Sequence, residues 1–402
     1  MPLTRRTLLA LLGTAAGGLA TAPDARAATD GGKGNTVTDP ATSPNQAASR
    51  AADGPVYLGA YTGGDPQHGI GVAAADPASG GLRLETVVPA VEPSFLALSP
   101  NRRVLYAVNE VTEGQVTAFS LGADGGLTGT LGSVPSGGGS PCHLALHPGG
   151  RHLFTANYAS GTVGVVALGA DGAPVELVQT VQHTGSGPDP DRQEGPHAHM
   201  VWPDPTGDRL FAVDLGTDSV YVYRFDTVSG TLTQESRVSM PAGSGPRHLA
   251  VHPDAETVYV LGELDAGLTT CTYDPGSGTL TPVSTVATLP EGVPSDGNTA
   301  AEVLVSADGA FVYASQRGHD SVAVLAVDGD RRTSPRLLGH HDCGGASPRH
   351  MAFAAAGSRL YVANQDSGSV TVFDRDAATG ALTPAAEPLT FPRAVCVLPA
   401  DG

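Results

Sequence analysis

The sequence predicts an all-β protein, specifically a seven-bladed β-propeller with four-stranded antiparallel blades. The chain of 402 residues contains 53 Gly and 32 Pro, so turns are frequent and helices are poorly supported. Short strand-like runs alternate with Gly, Asp, Asn and Pro turns, and no stretch shows a sustained helical period. A turn dipeptide followed by a short apolar strand also recurs at the interval of a propeller blade, which extends the prediction from composition to architecture.

Residues 1–27 are expected to be a twin-arginine signal peptide that is removed on export. Arg5 and Arg6 precede the apolar stretch 8–22, and residues 25–27 form a small-x-small cleavage site. A chance arginine pair before a membrane anchor is the alternative, but the apolar stretch is short and glycines interrupt it. The mature protein is therefore expected outside the cytoplasm and without a membrane segment.

The rest of the chain divides into a spacer and one domain. Residues 28–54 are rich in Gly, Thr, Asp, Asn, Ser and Ala without apolar periodicity, which predicts a disordered spacer. Residues 55–402 carry the strand-like runs and are assigned to the propeller.

The repeat is defined by a proline before each innermost strand, at intervals of about 44 to 55 residues. Ala300 stands where one such proline is missing, and the others are Pro93, Pro141, Pro196, Pro246, Pro348 and Pro392. Second strands are predicted at 104–108, 152–156, 209–213, 257–261, 311–315 and 359–363. Third strands are predicted at 163–168, 219–225, 321–327 and 369–375, and weaker fourth strands at 229–233, 278–281 and 380–383.

The two ends of the domain are expected to share a blade. Residues 56–88 contain strands two to four without a first strand, and residues 393–398 form a first strand without successors. Pairing the C-terminal strand with the N-terminal three closes the ring and leaves no open sheet edge. Six blades with loose ends are the alternative.

Charge and cysteine content narrow the functional classes. Lysine plus arginine total 22 against 40 Asp plus Glu, and the net charge of −18 argues against nucleic acid or an anionic membrane as a partner. A cluster of Arg and His is therefore unexpected in this chain, and where one occurs it is expected to have a specific local role. The four cysteines lack the close pairs of a zinc site and are expected to be buried, with one disulfide as an alternative: Cys142, Cys271, Cys343 and Cys396.

Two columns of side chains stand out when the repeats are compared. The residues predicted to open the innermost strands are Phe95, His143, His199, His248, Glu302, His350 and Ala394, preceded in three blades by Arg247, Arg349 and Arg393. The residues that follow the second strands are Tyr61, Glu110, Tyr158, Leu215, Glu263, Arg317 and Gln365. Because first and second strands are antiparallel neighbours, both columns are expected at one rim of the ring.

These residue types suit the opening or closing of a lactone on an anionic sugar acid, without a metal. Arginine binds carboxylate or phosphate and stabilises the negative charge that develops on an ester oxygen. Histidine or a desolvated glutamate can take a proton from water near neutral pH. Metal binding by His197 and His199 is an alternative, but Arg247 and Arg317 would place positive charge at the same point.

Five segments resemble the seven-bladed propeller lactonase family, which includes bacterial 6-phosphogluconolactonases of this type and fungal 3-carboxymuconate lactonizing enzyme. They are residues 193–199 (QEGPHAH), 245–248 (GPRH), 259–264 (YVLGEL), 315–318 (SQRG) and 347–350 (SPRH). The likeness extends over residues 56–402. It implies hydrolysis of a phosphorylated sugar lactone by a route without metal or other cofactor.

The resemblance also implies a catalytic set of His199, Arg247, Glu263 and Arg317, with His197 as the alternative to His199. His199 or Glu263 would act as the base, and the two arginines would hold the anionic group or the developing oxyanion. Further polar residues of the two columns and of the His197 motif are expected to bind substrate: His143, His197, His248, Arg349, His350, Tyr158 and Gln365.

Two other functions remain open on the sequence. The same residues would serve an intramolecular lyase that forms a lactone from a muconate. A secreted propeller that binds an anionic ligand without catalysis is the other alternative. The expected molecule is a monomer whose partner is a small anionic lactone.

Overall fold

The computed structural model describes residues 54–327 and 333–400. The predicted signal peptide (1–27) and the predicted spacer, apart from Gly54, lie outside these residues. No helix within the described ranges is long and apolar enough to cross a bilayer.

The described residues form 29 β-strands and one short 3-10 helix, Ala355–Gly357. Four strands make up most blades, and they are grouped here from the axis outward. The innermost strands are β4 (Leu96–Leu98), β8 (Pro141–Leu146), β12 (Ala198–Pro203), β16 (Pro246–Val251), β20 (Thr299–Val305), β24 (Pro348–Ala354) and β29 (Ala394–Pro399). The second strands are β1 (Val56–Ala60), β5 (Val104–Asn109), β9 (His152–Asn157), β13 (Arg209–Asp214), β17 (Thr257–Gly262), β21 (Phe311–Arg317) and β25 (Arg359–Asn364).

The outer half of each blade is less buried. The third strands are β2 (Gly69–Ala75), β6 (Gln115–Leu121), β10 (Thr162–Leu168), β14 (Ser219–Asp226), β18 (Gly267–Asp274), β22 (Ser321–Ala326) and β26 (Ser369–Arg375). The outermost strands are β3 (Leu82–Pro89), β7 (Leu127–Pro135), β11 (Pro174–Gln182), β15 (Thr231–Ser239), β19 (Thr279–Ala287), β23 (Arg336–Asp342), β27 (Leu382–Pro384) and β28 (Leu389–Thr390). The second strands are almost continuously buried, whereas the outermost strands consist mostly of exposed and half-buried residues because they form the outer edge of each blade.

The seven sheets confirm the predicted propeller. Each has four antiparallel strands, which follow chain order from the axis outward in all blades but the one that contains both chain ends, and the seventh blade gains β28, which pairs with β26. Blades are numbered here so that blade 1 contains β1–β3 and blades 2 to 7 follow along the chain. The innermost strands of successive blades contact one another around the ring, for example β8 with β12 and β20 with β24.

The ring closes as predicted. The C-terminal strand β29 pairs with β1, with Tyr57 opposite Leu398 and Leu58 opposite Val397, so the first sheet runs in the order β29, β1, β2, β3. The C-terminal strand and the three N-terminal strands thus form one blade. Both edges of β1 are paired, which removes the open edge that would otherwise promote aggregation.

Seven apolar clusters hold the blades together, one at each interface between neighbouring blades. The interface between blades 7 and 1, called the seam here, is built in the same way. Val56 and Leu58 of blade 1 pack there with Tyr361 and Val372 of blade 7. All four cysteines are buried with free thiols, as expected, and Cys271, Cys343 and Cys396 belong to these apolar clusters.

A tyrosine hydrogen bond repeats at four of these interfaces. A second-strand tyrosine donates its hydroxyl to a glycine carbonyl in the turn between the third and fourth strands of the next blade. The pairs are Tyr57 to Gly125 at 2.7 Å, Tyr106 to Gly172 at 2.8 Å, Tyr313 to Gly380 at 2.9 Å and Tyr361 to Gly80 at 3.2 Å. The last pair crosses the seam, so the closing interface is built like the internal ones.

The structure corrects the predicted register in two blades. In blade 4 the strand begins at Ala198, opposite Asp214, so His199 is its second residue and is equivalent to Cys142, Arg247 and Arg349. The column of strand-opening histidines therefore does not include His199. The Gly195-Pro196 turn lies further from the strand than its counterparts, because His197 occupies an additional position before β12.

Blade 1 needs a similar correction. Ala394 pairs with Ala60, and Val395, not Arg393, is equivalent to the arginines. Arg393 precedes the strand in a left-handed conformation, with φ of 51°, and its guanidinium lies over the ring of Tyr61.

We predict that the seam contributes as much stability as an internal interface. Tyr361→Phe and Tyr106→Phe should each lower the free energy of unfolding by about 1 kcal/mol, because a glycine carbonyl loses its donor in both. Urea denaturation of the two variants would measure this. A loss confined to Tyr106→Phe would contradict closure through the seam.

Candidate active site

Polar side chains gather at one end of the ring, called the mouth here, where the innermost strands begin and the second strands end. Antiparallel pairing places these points side by side, as with Pro246 opposite Gly262 and Pro348 opposite Asn364. Both predicted columns therefore lie at this end. The residues that end or directly follow second strands here are Tyr61, Glu110, Tyr158, Glu263, Arg317 and Gln365.

A β-bulge recurs at the second residue of the innermost strand. In blades 3, 4, 5 and 7 the register shifts by one residue between the first and third positions. The residues inserted at the bulge are Cys142, His199, Arg247 and Arg349. A bulge leaves its extra residue out of the ladder and redirects its side chain, so four blades present a side chain at the mouth in the same way.

The Glu263 cluster consists of Glu263, Arg192, Arg247 and Arg317. Arg192 Nη2 donates to Glu263 Oε1 at 2.5 Å. Arg247 Nε and Arg317 Nη2 lie 3.0 and 2.9 Å from Glu263 Oε2. Arg247 is held further by donation from Nη1 to the Ala301 carbonyl at 2.6 Å. Arg247 and Glu263 are buried, while the side chain of Arg192 is 36% exposed.

These contacts fix the charge of the cluster. Burial alone would raise the pKa of Glu263, but the neighbouring Arg317, Arg247 and Arg192 lower that pKa to about 2. Burial and the charges of Arg317 and Arg349 lower the pKa of Arg247 to about 10. At neutral pH the cluster therefore carries three guanidinium charges and one carboxylate charge.

His197 supports Tyr158 at the edge of this cluster. The two rings are stacked with centroids 4.5 Å apart, and His197 Nδ1 lies 3.0 Å from the Tyr158 carbonyl oxygen. His197 Nε2 lies 3.3 Å from Glu194 Oε1, so both ring nitrogens have protein partners. Arg192 reaches the Tyr158 hydroxyl at 3.4 Å. The arrangement indicates that His197 positions Tyr158.

His199 lies deeper, beside the axis. Its ring is 5.1 Å from that of His248 and 5.8 Å from that of Tyr158, and its buried Nδ1 has no hydrogen-bond partner among the described residues. Burial, and then the charge of Arg247, lower the pKa of His199 well below 6.5. The imidazole is therefore neutral at neutral pH and able to accept a hydrogen bond.

The axial plug, formed by Phe95, His143, His248, Glu302 and His350, lies on the ring axis. Rings of non-adjacent blades meet here, with His143 and His248 5.3 Å apart and Phe95 and His350 also 5.3 Å apart. His248 Nδ1 lies 2.9 Å from Glu302 Oε1, and His350 Nε2 lies 3.4 Å from Glu302 Oε2. Burial lowers the pKa of His350 to about 4 and raises that of Glu302.

A second carboxylate, Glu110, forms a separate group with Tyr61 and Arg349, called the Glu110 cluster. The Tyr61 hydroxyl lies 3.0 and 3.1 Å from the two Glu110 oxygens. Arg349 Nη2 donates to the same hydroxyl at 2.8 Å, and its Nη1 lies 3.5 Å from Gln365 Oε1. Burial raises the pKa of Glu110, and Arg349 opposes this shift only in part.

The structure thus brings together the four predicted catalytic residues, with Arg247, Glu263 and Arg317 in direct contact and His199 nearby. Among the predicted substrate-binding residues, Tyr158, Arg349 and Gln365 lie at the mouth, whereas His143 and His248 are buried in the axial plug with His350 beside them. Their role in binding stays a prediction. Sequence reasoning missed Arg192, because it lies in the long loop between β11 and β12, outside the repeat.

No group of three or more His, Cys, Asp or Glu side chains within residues 54–327 and 333–400 has the arrangement of a metal site. The mouth instead combines arginines with two carboxylates. Such a donor set binds an anion and stabilises developing negative charge.

Comparison with known proteins finds relatives over most of the chain. The family model for lactonases with a seven-bladed β-propeller matches residues 55–399. The chain is 32% identical to a 6-phosphogluconolactonase of Bacillus subtilis over 85% of this chain and 97% of the relative. It is 29% identical to a 6-phosphogluconolactonase of Formosa agariphila, over 81% of this chain and 94% of the relative.

A solved structure is similar over the same region. The periplasmic gluconolactonase of Pseudomonas aeruginosa superposes with a TM-score of 0.79 and 31% sequence identity. The match covers 87% of this chain and 99% of that protein.

We predict that Glu263 stabilises the fold by neutralising the arginines. Glu263→Gln should lower the free energy of unfolding by about 3–5 kcal/mol at pH 7, because a buried ion pair loses one partner. The folded-state pKa of about 2 lies below the ordinary 4.5, so this contribution is present above pH 4.5 and is lost as the pH falls towards 2.

Urea denaturation at pH 7 and at pH 3 would measure both effects. The difference between wild type and Glu263→Gln should shrink at the lower pH. Glu256→Gln, an exposed change in the same blade, serves as the control and should shift the free energy of unfolding by less than about 0.5 kcal/mol. An equal difference at both pH values would contradict the assignment.

Proposed function

Because this chain belongs to the seven-bladed β-propeller lactonase family, we propose that it hydrolyses the ester bond of a sugar-acid lactone such as 6-phosphogluconolactone. The observation that carries this proposal is the Glu263 cluster, in which three guanidinium groups surround one buried carboxylate at the mouth. The names of the Bacillus subtilis and Pseudomonas aeruginosa relatives support a gluconolactone as the core of the substrate.

The charge of the mouth favours an anionic substrate. The Glu263 and Glu110 clusters together contain four arginines and two glutamates, whereas the whole chain carries a net charge of −18. A phosphate or carboxylate on the sugar would bind in the geometry that arginine offers. The exposed position of Arg192 at the outer edge suits contact with such a group.

Hydrolysis adds water across the ring ester bond. The water oxygen bonds to the carbonyl carbon, the carbonyl oxygen becomes an oxyanion, and the bond to the ring oxygen then breaks. Arg247, which is buried, and Arg317, whose side chain is 13% exposed, are the cations best placed to stabilise the oxyanion, because low exposure to water strengthens their electrostatic effect. Glu263 positions them.

The proton of the attacking water needs an acceptor other than Glu263. A carboxylate whose pKa is about 2 is a weak base near neutral pH. The neutral imidazole of His199 can accept a hydrogen bond from this water and hold it beside Arg247. His199 is therefore assigned to water binding and orientation.

The place of action is proposed to be outside the cytoplasm, by twin-arginine export. Arg5, Arg6 and the apolar stretch 8–22 support this proposal, and the related Pseudomonas aeruginosa protein is a periplasmic gluconolactonase.

We predict acid release from at least one aldonolactone in a panel of phosphorylated and unphosphorylated forms. His199→Ala and Arg247→Ala should each lower kcat/KM by about 10²-fold or more, because a water-orienting group and an oxyanion-stabilising cation are removed. A pH-indicator assay of the mature protein would measure this.

The exposed Arg151→Ala serves as the matched control for loss of an arginine and should keep the wild-type rate. Unchanged turnover in both mouth variants would remove these residues from the mechanism. Formation of a lactone from a muconate, with no hydrolysis of any panel member, would favour the lyase alternative, and binding of aldonates without turnover would favour a non-catalytic propeller.

We also predict that replacing Arg5 and Arg6 by Lys retains the precursor in the cytoplasm, because the twin-arginine pathway reads this pair. Cell fractionation with activity measurement would check it. Export of the double variant at the wild-type level would contradict the proposed route.

A further inference from the structure

The Glu263 and Glu110 clusters each contain one carboxylate, and among the described residues only Glu263 of the two forms ion pairs with arginine. We propose that Glu110 is the general base that takes the proton from the hydrolytic water. This proposal rests on the proposed lactone hydrolysis and adds a catalytic residue to it.

The first support is the hydrogen bonding of the two carboxylates. Both oxygens of Glu263 contact guanidinium groups, at 2.5 to 3.0 Å. Glu110 is bound by the Tyr61 hydroxyl, and the nearby Arg349 donates to that hydroxyl instead of to the carboxylate. Among the described residues, no arginine forms an ion pair with Glu110, so its lone pairs remain available for water.

The second support is a cavity. A space of about 10 Å³ lies between the mouth and the axial plug, and about 10–15 Å³ is the volume that one water molecule needs. Its lining includes Glu110, Arg247 and Arg349 and, from the axial plug, Phe95, His248 and His350. A water in this space would lie beside Glu110 and beside the arginine assigned to the oxyanion.

The third support is the environment of the carboxyl group, which five blades contribute. It faces Tyr61 from blade 1, Ser94 from blade 2, Cys142 from blade 3, Arg247 from blade 5 and Arg349 from blade 7. Burial raises the pKa of Glu110, and the arginines and hydroxyls only partly reverse this shift.

Burial thus raises the pKa of Glu110 above the ordinary carboxyl range, while the pKa of Glu263 moves down to about 2 and that of His199 well below 6.5. A base is most effective when its pKa lies near the working pH. Of the three groups, only Glu110 has a pKa shifted in the direction of neutral pH.

Glu110 takes a proton from water while the water oxygen bonds to the lactone carbonyl carbon. The tetrahedral oxyanion collapses, the ring carbon–oxygen bond breaks, and the departing alkoxide takes the same proton back from the Glu110 carboxylic acid. The new carboxylic acid of the product ionises to solvent, so Glu110 returns to its starting state without a further reactant.

The central experiment is the pH dependence of kcat/KM for wild type and Glu110→Gln on the best lactone of the panel. Wild-type activity should fall on the acid side, as the pH passes below the raised pKa of Glu110. Glu110→Gln should lower kcat by about 10²–10⁴-fold with little change in KM, and the acid limb should disappear.

Glu113→Gln is the matched control, because Glu113 is an exposed carboxylate three residues further along the same loop. It should keep the wild-type rate and pH profile. Calorimetric binding of the aldonate product to Glu110→Gln, at the wild-type affinity, would show that the site is intact.

Tyr61→Phe gives a second, independent readout. It removes a donor to the ionised carboxylate, so the pKa of Glu110 should rise further and the acid limb should move to higher pH. A merely structural role of Glu110 would not produce this shift.

Two results overturn the assignment, and they are distinguishable. Full kcat and an unchanged acid limb in Glu110→Gln would exclude Glu110 as the base and leave the proposed lactone hydrolysis intact. Failure of the wild-type protein to hydrolyse any lactone would overturn the proposed function, and the role of Glu110 with it.

Discussion

The recurring β-bulge at the start of the innermost strands is the constraint on which the site depends. A regular strand would alternate its side chains between the two faces of the blade, and the second residue would point into a blade interface. The extra residue changes that direction, so that Cys142, His199, Arg247 and Arg349 face the mouth from four blades. The apolar clusters between blades and the pairing of β29 with β1 hold these strands at fixed positions around the axis. Rigid strands therefore position groups that are far apart in sequence.

The rigid strands also hold several charged side chains close together at the mouth. Several arginines directed at one buried point repel one another, and Glu263 offsets this repulsion at the cost of its own basicity. The buried imidazoles respond in the opposite sense, because burial and nearby positive charge keep them neutral. Neutral imidazoles pack against Phe95 in the axial plug without adding further charge. The same environment thus places several charged arginines at the mouth and neutral imidazoles beside the axis.

The pKa values of Glu263 and Glu110 are shifted in opposite directions by the groups around them. Glu263 contacts three guanidinium groups and stays ionised far below neutral pH, whereas Glu110 contacts a phenol and is shifted upward by burial. Separation of pKa values between neighbouring acids is a common way for a site to divide electrostatic stabilisation from proton transfer. In this protein the division depends on Arg349, which binds the Tyr61 hydroxyl and leaves Glu110 outside the ion-pair network.

The architecture, the closing of the ring and the end at which polar residues gather could be predicted from the sequence alone, because turn residues and strand period are local signals that repeat in every blade. Resemblance to the lactonase family also drew attention to Arg247, Glu263 and Arg317. The register of His199 and Arg393 required the folded structure, since a bulge adds one residue without a distinctive sequence signal. Likewise, Arg192 lies in a non-repeating loop, and the contrast between Glu110 and Glu263 arises from contacts between blades that no single repeat encodes. Repeating local patterns therefore predict the end of the ring at which polar residues gather, but the ionisation of those residues depends on burial and on neighbours brought together by the closed ring.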